Sequence, residues 1–256
     1  MPTITNQRIK SITTGNPPSL FDMGENIGSS EEVIEDSIIH QSKASNRTIR
    51  MYGDDFWIGL YPKSFDEYEV FPSLDVTDLH SNDKLVKNRL LDQLTNHTDW
   101  DILWTHLLGI DHAGHTFNTL GKELDQKIKD VEQILIEVVE NLPNNATLAI
   151  VSDHGMTSIG SHGGNSEEEI NTFIAFYQKD IEFDSPGLFD KLTKVPQTSI
   201  APTLSAIANL NIPFSNIGLV IPSAIAIDKK ISSNIRTLER FKIFKQNQIQ
   251  ILNYMK

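Results

Sequence analysis

Two short runs hold four of the chain's eight histidines. One is Gly109-Ile110-Asp111-His112-Ala113-Gly114-His115. The other is Ser152-Asp153-His154-Gly155-Met156-Thr157, continuing to Gly160-Ser161-His162-Gly163-Gly164. Each follows an apolar run rich in Ile, Leu and Val, 103–110 in the first case and 148–151 in the second. An apolar run, then Asp-His or Asp-x-x-x-His, then glycine is the pattern of ligands carried at the C-terminal ends of buried strands. Open α/β sheets place their sites there. Carboxylate and imidazole together suit a divalent ion such as Zn²⁺. Alone, an Asp-His-Gly is more often a turn, and an (i, i+4) Asp/His pair arises by chance. Both together, with His162 in a glycine-flanked loop, favour a metal site.

A hydroxyl stands ready for such a site. Pro2-Thr3-Ile4-Thr5 precedes an amphipathic helical stretch that stops at Gly15. Such a threonine can be a helix cap. It can also be a nucleophile at a helix N-terminus, where free N–H groups and the dipole favour a phosphoryl group.

The elements that must carry these residues alternate. Helices are expected over 32–39, 84–94 and 124–142, the last with Leu124, Ile128, Val131, Leu135 and Val138 at helical spacing. Strands are expected over 48–52, 100–110, 147–151 and 172–177. A helix is led by 195–204, and 231–256 reads as an apolar and basic helical tail. Asp54 and Asp55 read first as turn and cap residues, with contact to the site as the alternative. His80 reads as a surface residue, and the triple acid Glu167-Glu168-Glu169 as a solvated helix start. The fold class is α/β, with a mostly parallel central sheet flanked by helices. The expected division is a catalytic domain over 1–228 and a helical C-terminal tail over 229–256.

At 256 residues and 39% apolar, the chain can bury a sizeable core. A net charge of -12 argues against nucleic acid. No cysteine is present, which excludes disulfides and thiolate ligands. The sequence holds no run of about 18 or more apolar residues, the length a bilayer-spanning helix needs, and the N-terminus has no signal-peptide pattern. Asn46, Asn96 and Asn145 begin glycosylation sequons, which permit a lumenal location without showing one.

Asp111-x-x-x-His115, Ser152-Asp153-His154-Gly155-Met156-Thr157 and Gly160-x-His162-Gly163-Gly164-x-Ser166 resemble the signatures of the GPI ethanolamine phosphate transferases. These are two-metal enzymes of the alkaline phosphatase superfamily. Ser19-Leu20-Phe21-Asp22 and Gly53-Asp54-Asp55-Phe56-Trp57 continue the likeness, 71–80 resembles the third-mannose type more than its relatives, and 212–218 is similar to that type. The resemblance implies an alkaline-phosphatase-like fold. It selects Thr5, ten residues before Gly15, as nucleophile, with Thr3 as the fallback. It implies two divalent ions, Zn²⁺ by expectation. Asp153, His154 and the Thr5 alkoxide would hold one, and Asp111, His115 and His162 the other. The donor would be phosphatidylethanolamine and the acceptor a mannose of the GPI-anchor precursor. A small membrane-protein partner subunit and a lumenal site at the endoplasmic reticulum membrane follow from the same likeness.

The family's first metal ligand is an Asp on a strand upstream of the nucleophile, which this sequence does not contain. The fold is therefore expected to lack its first strand, and the Thr5 metal to have at most three protein ligands. A partial gene model or a degenerate copy is the reading of that difference. Two rivals stand beside the transferase: a soluble metal-dependent phosphodiesterase or nucleotide pyrophosphatase, and an inactive truncated pseudoenzyme.

Overall fold

The computed structural model describes residues 3–17, 31–179, 181, 194–225 and 232–256. The run Ser19–Asp22 lies outside them. The chain opens with α1 (Thr5–Thr14), which stops where Gly15 takes a left-handed φ of 76° and donates its N–H to Ser11 O. Then come α2 (Ile38–Ala44), β1 (Ile49–Asp54), α3 (Phe56–Leu60), β2 (Glu67–Phe71), α4 (Ser81–Asn96), β3 (Ile102–Thr105), α5 (Gly109–Phe117) and α6 (Lys122–Asn141). The second half holds β4 (Thr147–Val151), α7 (Glu167–Ile170), β5 (Ile174–Gln178), α8 (Ile200–Ile207) and α9 (Ser233–Tyr254).

β2, β1 and β3 form a parallel sheet in that order, with β1 buried along its whole length. β4 and β5 pair antiparallel as a separate ribbon. Among the described residues β3 pairs only with β1, and β4 only with β5. This is the expected helix-flanked α/β architecture with its sheet in two pieces.

The main core joins α1 to the sheet. Ile9 of α1 packs with Ile38 and Ile39 of α2, Ile49 and Met51 of β1, and Trp57 and Leu60 of α3. Burying each such side chain contributes about 1.5–3 kcal/mol. A hydrogen bond of 2.5 Å between Thr13 Oγ1 and the Tyr61 hydroxyl pins the far end of α1. The near end, with Thr5, is thereby held in a fixed place.

Two expectations change, and the tail keeps its expected helix. Residues 32–37 are not helical: Val33 N–H donates to Leu60 O at 2.8 Å, and the helix starts only after Ser37 caps it by accepting from His40 N. Ile34 is exposed, so the apolar spacing at 33, 34, 38 and 39 is not one helical face. The expected strand 100–110 is only four residues long, and the chain turns into α5 before Asp111. The tail is helical and docked: buried Asn247 accepts from Val220 N–H at 3.0 Å and donates to Gly218 O at 3.2 Å.

Candidate metal centre

Thr5 is the first residue of α1, where backbone N–H groups lack intrahelical partners. Its Oγ1 lies 3.3 Å from His154 Nε2. Asp153 Oδ2 lies 3.2 Å from the same nitrogen. The His154 ring stacks on His162 at 3.8 Å between centroids, and His162 lies 4.8 Å from the His115 ring. Asp111 bridges these two, with Oδ1 3.4 Å from His162 Nε2 and Oδ2 3.4 Å from His115 Nε2. All six residues singled out from the sequence therefore meet in one site. Thr5, Asp153 and His154 form one end, and Asp111, His115 and His162 the other.

The positions follow from local structure. β4 ends at Val151, so Asp153 and His154 do sit just past a strand. Asp111 does not. It lies in the first turn of α5, and His115 follows one turn later, so the (i, i+4) spacing puts both on one helix face. His162 rides a loop that Gly160 lets close against α5.

The ring orientations are set by backbone carbonyls. His154 Nδ1 donates to Gly155 O at 3.0 Å, and His162 Nδ1 donates to Thr3 O at 2.7 Å. His115 bonds the Gly160 backbone. With Nδ1 carrying the proton, Nε2 of His154 and of His162 presents a lone pair. Each lone pair faces a carboxylate oxygen. Asp111 Oδ1 and Asp153 Oδ2 are both buried and accept no hydrogen bond. Lone pairs opposed in this way repel unless a cation or proton lies between them. Ligand atoms about 2.0–2.1 Å from a tetrahedral Zn²⁺ stand about 3.3 Å apart. Two of the observed separations, Asp111 Oδ2 to His115 Nε2 and Asp111 Oδ1 to His162 Nε2, are 3.4 Å, close to that spacing, and one ligand atom from each of the three residues lies within 4.8 Å of the others. The donor set fits a divalent metal.

The charges agree. Burial opposes ionisation of Asp111, but the hydrogen bond from His115 and the nearby imidazoles outweigh it and hold its carboxyl below the ordinary range. The bond to Asp111 raises His115. Burial first, and then the neighbouring His154, lower His162.

Several residues beyond these six support the site. Glu169, from the triple acid, is buried rather than solvated. Its carboxylate accepts from Gly164 N at 2.7 Å, Ser166 N at 3.0 Å, Ser166 Oγ at 2.6 Å and Thr3 Oγ1 at 3.3 Å. Those bonds hold its pKa down to about 2. Thr3 Oγ1 also accepts from Gly163 N at 2.7 Å, so the fallback residue is a clasp between the nucleophile segment and the His162 loop. Gln197 donates to Asp153 O at 2.5 Å and accepts from Arg8 at 2.9 Å. His106 pairs with fully buried Asp54. Burial pulls His106 down, yet Asp54, with Asp153 and Asp111 beyond it, lifts it to about 9. Asp54 also accepts from Phe56 N at 3.0 Å, the turn role expected of it, whereas Asp55 makes no side-chain cap for α3 and instead accepts from Ser73 N at 3.0 Å, eighteen residues on. His80 is exposed, as expected. His106 had no signal in the sequence, since its partner stands 52 residues away.

Comparison with known proteins shows the family and the fold. The family model for type I phosphodiesterase / nucleotide pyrophosphatase matches residues 2–215. The human GPI ethanolamine phosphate transferase 3 catalytic subunit is 37% identical over 220 residues, covering 86% of this chain and 20% of the relative. The human transferase 2 catalytic subunit is 36% identical over 227 residues, covering 86% and 23%. Transferase 3 of Schizosaccharomyces pombe is 32% identical over 248 residues, covering 94% and 27%. The resemblance read from the motifs is borne out, and the chain spans between a fifth and about a quarter of these relatives' length. Among solved structures, a 2-O GAG sulfatase shares the fold with a TM-score of 0.63 at 14% identity, over 86% of this chain and 63% of that one. The fold is alkaline-phosphatase-like, and by the match over residues 2–215 the chain belongs to the type I phosphodiesterase / nucleotide pyrophosphatase family.

Proposed function

We propose that the chain carries the catalytic site of an ethanolamine phosphate transferase acting on the GPI-anchor precursor. The observation that carries this reading is the Thr5 hydroxyl, 3.3 Å from His154 at the mouth of a helix and beside two Asp/His clusters. A phosphoryl group placed there meets the free N–H groups of α1. Thr5 Oγ attacks phosphorus, forming an O–P bond as the bond to the diacylglycerol oxygen of phosphatidylethanolamine breaks. A mannose hydroxyl then displaces the threonine and takes the ethanolamine phosphate. Metals held by Asp153, His154 and Thr5, and by Asp111, His115 and His162, would lower the pKa of the threonine hydroxyl and neutralise phosphoryl charge. Two Zn²⁺ ions are the proposed occupants.

The chain's own residues keep this arrangement in register. Gly155 and Thr3 carbonyls orient His154 and His162. Gln197 fixes the backbone of Asp153. Glu169 holds Thr3 against the glycine loop. A site of this kind would work in the lumen at the endoplasmic reticulum membrane, with a small membrane-protein partner subunit. No described helix is long and apolar enough to cross a membrane. The sequon residues Asn46, Asn96 and Asn145 are exposed, as glycosylation needs. Residues 1–228 would form the catalytic unit and 229–256 its helical tail.

The test is to incubate the protein with vesicles of phosphatidylethanolamine and Zn²⁺, quench in acid, and map adducts by mass spectrometry. An ethanolamine phosphate adduct on the Thr5 peptide, absent in Thr5→Ala, is the expected result. Turnover of a soluble nucleotide phosphodiester with no adduct from lipid would instead favour the nucleotide pyrophosphatase reading. Zinc binding with neither activity would favour the pseudoenzyme.

A further inference from the structure

Outside the metal centre, one buried ion pair has no part in the chemistry described so far. Asp83 of α4 is 4% exposed and Lys127 of α6 is 3% exposed. Lys127 Nζ lies 3.3 Å from Asp83 Oδ2 and 3.0 Å from His80 Nδ1. The other oxygen, Asp83 Oδ1, accepts the backbone N–H of Leu108 and of Gly109, both at 3.0 Å. Those are the N-cap and the first residue of α5, a helix whose own N-cap residue makes no side-chain capping bond. Next to Asp83, the Asn82 amide donates to His106 O at 2.9 Å. The start of α4 thus grips both ends of the β3–α5 connection.

A buried ion pair is a poor route to stability, because desolvating two charges cancels much of their attraction. This one is placed where it fixes orientation. A helix start normally takes its cap from its own chain. Here the cap comes from another helix and is tied by Lys127 to a third. Gly109 leaves the room for it: an added Cβ would lie within 3 Å of Lys127 Cδ and of the Leu79 carbonyl oxygen, and closer still to Asp83 Oδ2. The captured N–H groups stand just before Asp111, with His115 one turn on. A small rotation of that first turn would redirect both ligands.

We propose that Asp83 and Lys127 are positioning residues for the metal ligands Asp111 and His115, acting as an external cap on their helix. The proposal rests on the metal-centre reading above. It predicts an effect on metal binding separable from any effect on folding.

Co²⁺, whose visible absorption reports ligand geometry, is titrated into metal-free protein, with thermal unfolding measured on the same samples. The double variant Asp83→Ala/Lys127→Met removes cap and cation together and leaves no bare buried charge. Its Co²⁺ affinity is expected to fall about ten- to a hundredfold, as loss of an outer-shell partner does, with an altered band. Asp83→Asn/Lys127→Met restores an acceptor for the two N–H groups and is expected to recover most of that affinity. Gly109→Ala, which displaces the carboxylate without removing it, is the independent variant and should show the same loss. A wild-type titration curve and spectrum in Asp83→Ala/Lys127→Met or in Gly109→Ala overturns the proposal, whatever the melting temperature does. A wild-type protein that takes up no Co²⁺ overturns the metal centre itself, and this proposal with it.

Discussion

Replacing Gly160 by alanine tests how the His162 loop is coupled to the Asp111 helix. Gly160 sits at φ 77°, and a Cβ there would lie 3.0 Å from the Gly114 carbonyl carbon, 3.1 Å from Asn118 Cα, and closer still to the Gly114 oxygen. The left-handed backbone alone costs an alanine about 1–2 kcal/mol. The clash is with backbone, so side-chain rotation cannot relieve it. Carbon contacts settle near 3.5–4.0 Å, so loop and helix must part by about 1 Å. Gly114 lies within α5, between Asp111 and His115, so that movement opens the 3.4 Å spacing between Asp111 and His162. Gly163 is the control. It too has a left-handed φ, 109°, but an added Cβ would meet only Ile4 Cγ1, at 3.8 Å. Gly163→Ala should lose about 1–2 kcal/mol of stability when metal-free, and Gly160→Ala that amount plus the cost of its backbone clash. Gly160→Ala alone should lose Zn²⁺ affinity, by about tenfold or more. Thermal unfolding across a Zn²⁺ series reads both quantities. Equal Zn²⁺ affinity in the two variants would refute the coupling.

Three further outcomes follow from the same geometry. His106 has its pKa raised to about 9 beside buried Asp54, so the stability it contributes is complete below about pH 6.5 and is lost as pH rises through 9. The full shift corresponds to about 3 kcal/mol; urea midpoints of metal-free protein from pH 6 to 10 should fall accordingly, and Asp54→Asn should flatten the curve. Glu169, held at about 2 by Ser166, Gly164 and Thr3, contributes stability that is present above its unfolded pKa and is lost as pH falls toward 2. Glu169→Gln should speed amide exchange at Gly163 and Gly164 near neutral pH, and unchanged exchange there contradicts the clasp. Chelation should lower the melting temperature, and Zn²⁺ at a hundredfold excess over its dissociation constant should return about 2.7 kcal/mol.

The site was legible where its parts are local in sequence. The Asp111/His115 spacing, the Asp153-His154 pair behind a clean strand and the Gly15 stop of α1 each carry their own signal. The supports were not legible, because they join distant segments. Asp54 finds His106 across the sheet, Asp83 reaches Leu108 from another helix, and Glu169 meets Thr3 at a separation of 166 residues. Glu167, Glu168 and Glu169 look alike in the sequence; only the capping turn of α7 decides which of them turns inward. Apolar content also hid the break within 100–110. Leu107 and Leu108 extend the pattern of a strand, but Leu108 takes an α-region backbone that starts α5. Asp111 therefore arrives on a helix, an element that its periodicity could not tell from a buried strand.

Anomalous diffraction at the zinc edge from crystals soaked in Zn²⁺ would test the bimetallic site most directly. Two peaks about 4 Å apart are predicted, one bounded by Thr5, Asp153 and His154, the other by Asp111, His115 and His162. Zinc found only at sites remote from these six side chains, or none at all in crystals that diffract well, would contradict it.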